Sequence, residues 1–338
     1  MKKLLVVLLT LTVIGSLAFA EVTLSSWNRM GFMLYQAQGD VNAANELPSW
    51  GRNGISFSGK SDNMGIALDL NARNATGFEI GDNGKIYAKL ANGIITVSVG
   101  KSNFDNLRGK IGGASEIAWG FSGSTTGDED TIFKRLNIAK GIALELAPVA
   151  GLYAAATVSQ ATNGTADNAY EAAQIAAGYT IEGIGLIRAQ FIGALDDPSA
   201  QAAFALTAVE GLTVDVGARF YFEDGTASQN VISGAVKYGK DALNAMVRGA
   251  VRLENSDAAL DLDLGVGGYV NYKVSDTLIV GVDVAFPTIA DNAKKVDAVP
   301  YVKLPLAGGF IMAGFAAEVG LDDQDFKWGV PVMLQAGF

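Results

Sequence analysis

The 338-residue chain contains no cysteine and no histidine. Without cysteine there is no disulfide framework, no thiol chemistry and no lipid anchor on a cysteine after export. Without histidine, Ser-His-Asp hydrolysis and histidine-containing metal sites are excluded. No catalytic residue, metal ligand or cofactor is therefore expected, and an enzyme is the least favoured class. Prolines number seven against forty-one glycines, a balance that suits tightly turned, twisted strands. Beyond the first twenty residues no apolar run approaches the ~18–20 residues that a membrane-spanning helix needs. The net charge of −10 argues against a nucleic-acid partner.

What is present begins with an export signature. Lys2 and Lys3 precede an apolar stretch, Leu4–Ile14, and Ala18-Phe19-Ala20 forms an A-x-A cleavage site. Residues 1–20 are expected to be a signal peptide and 21–338 the mature chain; a retained N-terminal anchor is the rival, disfavoured by the short apolar run.

The mature chain alternates with a period of two. Over 242–254, Leu243, Ala245, Val247, Gly249, Val251 and Leu253 share one face, and Asn244, Met246, Arg248, Ala250, Arg252 and Glu254 the other. Over 212–223, Leu212, Val214, Val216, Ala218, Phe220 and Phe222 oppose Thr213, Asp215, Gly217, Arg219, Tyr221 and Glu223. Strands in soluble sheets usually run ~5–6 residues. Two-faced strands of ~10 residues match a lipid side and a water side.

Short turn signals recur between such segments: Ser61-Asp62-Asn63, Ala91-Asn92-Gly93, Pro148-Val149-Ala150, Glu182-Gly183, Glu210-Gly211, Gly239-Lys240-Asp241, Ser275-Asp276-Thr277 and Ala307-Gly308-Gly309. Looser connections fall near 40–49, 75–83, 104–137, 160–169, 195–199, 224–228, 255–257, 287–296 and 320–326. Eight tight turns and nine looser loops predict an all-β, antiparallel transmembrane barrel of eighteen strands, with sixteen as the alternative. Tyr179, Phe220, Phe222, Tyr238, Tyr272, Phe286 and Trp328 lie near strand ends, as interfacial girdles do. A barrel of this size encloses water rather than a packed core, so charges on one face need not be buried.

The longest connection, about 104–137, follows the fifth strand, although Glu116–Phe121 could form a short strand of its own. The loop carries the acidic run Asp128-Glu129-Asp130. As a solvated tip the run has no further role. Inside the lumen it would face basic wall residues, for which Arg29, Arg73, Lys85, Lys89 and Arg188 are the candidates. Opposed charges would set a transverse field that filters solutes by charge and dipole. Further inward-face charges include Asp69, Glu145, Asp215, Arg219, Lys237, Arg248, Arg252, Asp261, Asp263, Asp283 and Lys303. Neighbouring strands bring Arg219 and Glu223 towards Lys237, and Arg248 and Arg252 towards Asp261 and Asp263.

The last strand, 327–338, places Trp328, Val330, Val332, Leu334, Ala336 and Phe338 on one face and ends on an aromatic. Pro331 departs from the pattern and predicts a bulge or gap, because it donates no ladder hydrogen bond. The signal, the even strand count, the long third loop and the terminal Phe together resemble the bacterial general porins. That resemblance implies an outer membrane of a diderm bacterium, surrounding lipid, recognition of strand 327–338 by the outer-membrane assembly machinery, and a homotrimer. The small residues Ala154, Ala155 and Ala156 permit a close flat contact. The function it implies is passive diffusion of small hydrophilic solutes or ions. The rival is a closed-lumen, adhesin-like or structural barrel; a soluble exported sandwich would need shorter strands and a core.

Three motifs read differently in context. Gly54–Ser61 fits G-x-x-x-x-G-K-S, but no buried strand precedes it and no helix follows. Asn163-Gly164-Thr165 is a sequon and equally a polar loop. Asp322-Asp323-Gln324-Asp325 lacks the glycine and distal glutamate of a calcium loop.

Overall fold

A computed structural model describes residues 21–37, 51–73, 78–112, 129–138, 140–159, 173–193, 198–222, 229–256, 259–286, 295–321 and 325–337. The expected signal peptide, Asp128, the 116–121 segment, the sequon, Asp322, Asp323 and Phe338 lie outside the described residues.

Among the described residues the alternating segments form eighteen strands. The first six are β1 (Glu21–Ala37), β2 (Gly51–Lys60), β3 (Met64–Arg73), β4 (Phe78–Leu90), β5 (Ile95–Phe104) and β6, in two pieces (Leu136–Ile138 and Gly141–Leu146). The next six are β7 (Leu152–Ser159), β8 (Gln174–Ile181), β9 (Gly185–Ile192), β10 (Ser199–Leu206), β11 (Leu212–Tyr221) and β12 (Gln229–Lys240). The last six are β13 (Leu243–Ser256), β14 (Ala259–Ser275), β15 (Leu278–Phe286), β16 (Lys295–Leu306), β17, also in two pieces (Gly309–Gly314 and Ala316–Gly320), and β18 (Phe326–Gly337). Each pairs antiparallel with the next, and β18 pairs with β1 from Trp27↔Gly337 to Ala37↔Trp328. The ring is closed, so among the described residues no strand edge is left without a partner. All eight tight turns fall where the sequence places them. Among the described residues no helix is long and apolar enough to cross a membrane.

Alternation decides which side each residue takes. Val247 is 59% exposed on the outside, while its neighbour Arg248 is fully buried on the inside. The outer face of the ring carries Val99, Ile142, Ile175, Ile187, Val216, Ile232 and Val302, all exposed. In water such a surface would be a severe liability; against lipid it is the expected surface.

Prolines and one glycine shape the irregularities. The β1–β18 register slips between Met33 and Tyr35, opposite Pro331 and Val330, so the bulge expected from Pro331 is taken up by β1 at Leu34. β17 breaks at Phe315, whose N–H donates to the carbonyl of Pro300 at 2.9 Å. Pro300 has no N–H to return. Gly100 has φ +125, and a Cβ there would lie 2.2 Å from the Gly84 carbonyl oxygen. Beyond it, Ser102–Phe104 pair with Leu136–Ile138 as a short ribbon separate from the main sheet. The fifth strand thus runs one residue later than predicted, and the third loop is 105–135.

Candidate functional site in the barrel lumen

The ribbon delivers the third loop into the lumen. Phe104, Leu136 and Ile138 are buried, as are Leu107, Ile111, Ile132 and Phe133 of the loop. Beneath them the inner wall is built from small side chains, Ala176, Ala203, Ala205 and Ala235, with Leu186 and Met246. Each large apolar side chain removed from water contributes roughly 1.5–3 kcal/mol, so the underside alone holds the loop strongly. Two wall glycines make room: a Cβ on Gly217 would sit 2.2 Å from the Ile132 carbonyl oxygen, and one on Gly178 2.4 Å from Leu107 Cδ2.

Polar anchors flank this apolar seat. The Arg188 guanidinium on β9 pairs with Asp215 on β11, with neither side chain exposed. The other Asp215 oxygen accepts the Lys110 backbone N–H at 2.6 Å. Arg248 Nη2 donates to the carbonyls of Ile111 and Gly112, both at 2.5 Å. Gln201 Nε2 donates to the Ile132 carbonyl at 2.8 Å, and its Oε1 accepts the Lys134 N–H at 3.0 Å. Ser233 Oγ donates to Thr131 O at 2.9 Å, and Arg219 Nη2 to Asp130 O at 2.9 Å. Arg188 also lies over the Phe133 ring, 5.0 Å from its centroid. Partial burial, and then the Arg188 guanidinium, push the Lys110 ammonium's pKa below its ordinary value.

The loop closes on itself at its neck. Asp130, in the one-turn helix α1 (Glu129–Ile132), accepts Arg108 Nε at 2.7 Å and the Arg135 N–H at 3.2 Å. Arg135 Nη1 reaches Asp105 at 3.5 Å, and the Gly109 N–H donates to Phe133 O at 3.3 Å.

These contacts redistribute the residues singled out from sequence. Arg219 and Arg248 hold the loop. Arg188 lies beneath the loop and not across the lumen from it, which corrects the expected opposition: Asp215, two strands away on the same wall, is its partner. Asp130 is likewise committed to the loop's own arginines. Glu129 is placed in α1. Lys85 Nζ donates to Ser102 Oγ at 2.7 Å and sits 5.2 Å from the Phe104 ring centroid, so it supports the ribbon. Lys89 is exposed near the short-turn end of β4, opposite Thr96. Arg252 stands at the register position facing Asp263, as expected, but Arg248 faces Gly267, Arg219 faces Val231 and Lys237 faces Thr213, so the other expected cross-strand pairings are not in register. Arg29 donates through Nε and Nη2 to Gln335 Oε1, at 2.8 and 2.5 Å. Arg73 is at the register position facing Arg52.

Sequence reasoning did not single out Arg108, Arg135, Gln201 or Ser233. In the sequence Asp215 is only one more inward charge. Gln201 and Ser233 carry an available signal: each is a polar residue two positions from a buried inner-face alanine, Ala203 and Ala235.

No family model matches the chain, and no curated protein does. Solved structures do match. A substituted variant of the Rh. blastica porin is 17% identical, with a TM-score of 0.52, over 94% of this chain and 100% of that one. A triple mutant of the Rhodopseudomonas blastica porin is 16% identical at the same score and coverage. The chain therefore resembles the bacterial general porins in fold.

Proposed function

We infer that the chain is an outer-membrane porin that lets small hydrophilic solutes or ions diffuse passively through a water-filled lumen. One observation carries the reading: a closed ring with an apolar outside and a charged inside holds a loop against its inner wall. Charges on the inside of a ring this wide require water there. A loop seated on one wall narrows the passage without needing to fill it. Function then resides in width and lumen charge, and no bond is made or broken.

The short turns would face the periplasm and the long loops the exterior. The loop seat spans β8–β13. The strands carrying Arg29, Arg73, Lys85 and Lys89 are β1, β3 and β4, about half a turn of the ring away, which supports a charged passage between them. In this reading residues 1–20 serve as the signal, the last strand, β18, carries the assembly signal, and the barrel assembles as a homotrimer.

The test is single-channel conductance of the purified protein in a planar bilayer, with the reversal potential in a salt gradient. Discrete steps with a defined reversal potential are expected. Folded, inserted protein that gives no steps would sink the reading in favour of a closed-lumen binding or structural barrel.

A further inference from the structure

A row of irregularities crosses four neighbouring strands at one height. The β16–β17 ladder runs from Leu306↔Gly309 to Tyr301↔Gly314, stops, and resumes from Ala298↔Ala317 to Lys295↔Gly320. The β17–β18 ladder stops after Ala313↔Val332 and resumes at Ala316↔Gly329. The β18–β1 register slips between Met33 and Tyr35. Pro300 and Pro331 lie in this row and supply no N–H to it. Strands bend most readily where their ladder is disrupted, so the row is a crease in the wall. Beyond it, on the long-loop side, lie residues 295–298 of β16, 316–320 of β17 and 326–329 of β18. The neighbouring ladders stop within this piece: β15 pairs with β16 only up to Ala285↔Asp297, and β1 with β18 only up to Ala37↔Trp328. The piece is paired within itself and joined to the rest of the ring by short stretches of ladder.

Inside the piece, Glu318 on β17 faces Asp297 on β16 and Lys327 on β18. Both carboxylates are buried. Lys295 Nζ reaches Glu318 Oε2 at 3.1 Å, and Lys327 Nζ reaches Glu318 Oε1 at 3.5 Å and Asp325 at 3.7 Å. Asp297 lacks such support: neither of its carboxylate oxygens has a hydrogen-bond partner among the described residues. Like charges directly opposite one another destabilise a strand pair. Two ammonium groups thus draw β16, β17 and β18 together at Glu318, while Asp297 works against the same contact. At the crease itself, the Phe315 ring stacks on Trp328 with centroids 5.4 Å apart.

We propose that this piece of the wall is a hinged flap at the rim, which turns as a unit about the crease and is latched by Glu318. The lysines hold the latch shut, and the opposed Asp297 carboxylate keeps it weak enough to open. Because the piece stands at the long-loop end of the ring, its motion changes the width of the lumen mouth. Calling that mouth part of a passage rests on the porin reading, but the motion is tested without a current.

The experiment is hydrogen exchange, read by mass spectrometry, on the detergent-purified protein expressed from its full sequence. Amides of 295–298, 316–320 and 326–329 are expected to exchange together, and faster than those of 301–306 and 309–313 across the crease. Glu318→Gln should speed exchange in all three segments about tenfold, because the charged acceptor shared by two lysines is lost. Asp297→Asn should slow it, because a carboxamide donates to Glu318 where a carboxylate repels it. Opposite signs at two facing positions set a latch apart from general loosening of the wall. Unchanged exchange at 301–306 checks that each variant folds; if Glu318→Gln does not fold, Lys295→Met and Lys327→Met are used singly, each with a smaller gain in exchange. Three segments exchanging at unrelated rates, exchange no faster than across the crease, or the same sign for both substitutions overturns the flap. Conductance without joint exchange would sink the flap and leave the porin reading standing. Joint exchange with the expected signs but no conductance would do the reverse.

Discussion

Arg188 and Asp215 form an ion pair on the inner wall with no exposed side-chain surface, and Asp215 also accepts the Lys110 N–H from the loop above it. The pair joins β9 to β11, across β10, and carries the loop on its back. A buried pair of this kind adds little net stability against an apolar replacement, but breaking one half is costly. Its value here is positional: it fixes where Lys110, and hence the descending arm of the loop, sits in the lumen.

Asp215→Asn is therefore expected to destabilise the barrel by about 3–5 kcal/mol, the cost of leaving a buried guanidinium unpaired. The loop should also loosen, giving a larger mean single-channel conductance with broader scatter. Replacing both partners, Arg188→Met with Asp215→Leu, should recover much of the stability but not the narrow conductance distribution. Thermal unfolding in detergent and bilayer recordings check the two parts separately. An Asp215→Asn variant as stable and as quiet as wild type would refute the anchoring role.

Arg248 acts from the next wall segment by holding two adjacent carbonyls, Ile111 and Gly112, with one nitrogen. Hydrogen bonds to a charged donor are worth roughly 1.5–3 kcal/mol each. Arg248→Ala should increase open-channel noise and expose the 109–112 backbone to hydrogen exchange. Arg248→Lys should restore only part of the protection, because an ammonium lacks the planar fork. Exchange protection unchanged in Arg248→Ala would count against the clamp.

Gly217 gives a test that leaves the charges alone. A methyl group there would meet the Ile132 carbonyl at 2.2 Å, so Gly217→Ala must lift the ascending arm of the loop. A loss of about 1–3 kcal/mol is expected, the usual cost of overpacking, together with altered conductance. Gly249→Ala is the control: its Cβ would point to the lipid side with its nearest neighbour at an ordinary 3.6 Å. Equal effects from the two substitutions would mean that Gly217 has no special relation to the loop.

The barrel was legible because its determinants are local. A period of two in Leu243–Leu253 and Leu212–Phe222 reports the two solvents directly, and hairpin turns mark strand ends with glycine and asparagine. The position of the long loop was legible for the same reason. Its contacts were not. Arg188 and Asp215 are twenty-seven residues apart, and Arg248 meets Ile111 across 137; no local period encodes such pairings. The acidic run looked free in sequence because Arg108 and Arg135 stand on the two arms of a hairpin, brought to Asp130 only when the loop closes.

Asp130 separates two roles that its sequence position leaves combined. Were its charge free to act across the lumen, removing it would shift ion preference. Instead it is partly buried and shared between Arg108 at 2.7 Å and Arg135, both largely shielded. Such a group contributes a small net field beyond its own neck. Removing the pair together, Asp130→Asn with Arg108→Gln, should therefore leave the reversal potential in a salt gradient unchanged while increasing conductance noise, because the neck loses its shared acceptor. The noise difference should shrink in about 1 M salt, where the screening length falls to ~3 Å and the wild-type neck is weakened as well. A clear shift of the reversal potential in the paired variant, with no change in noise, would instead make Asp130 a selectivity residue and return the transverse field to the loop itself.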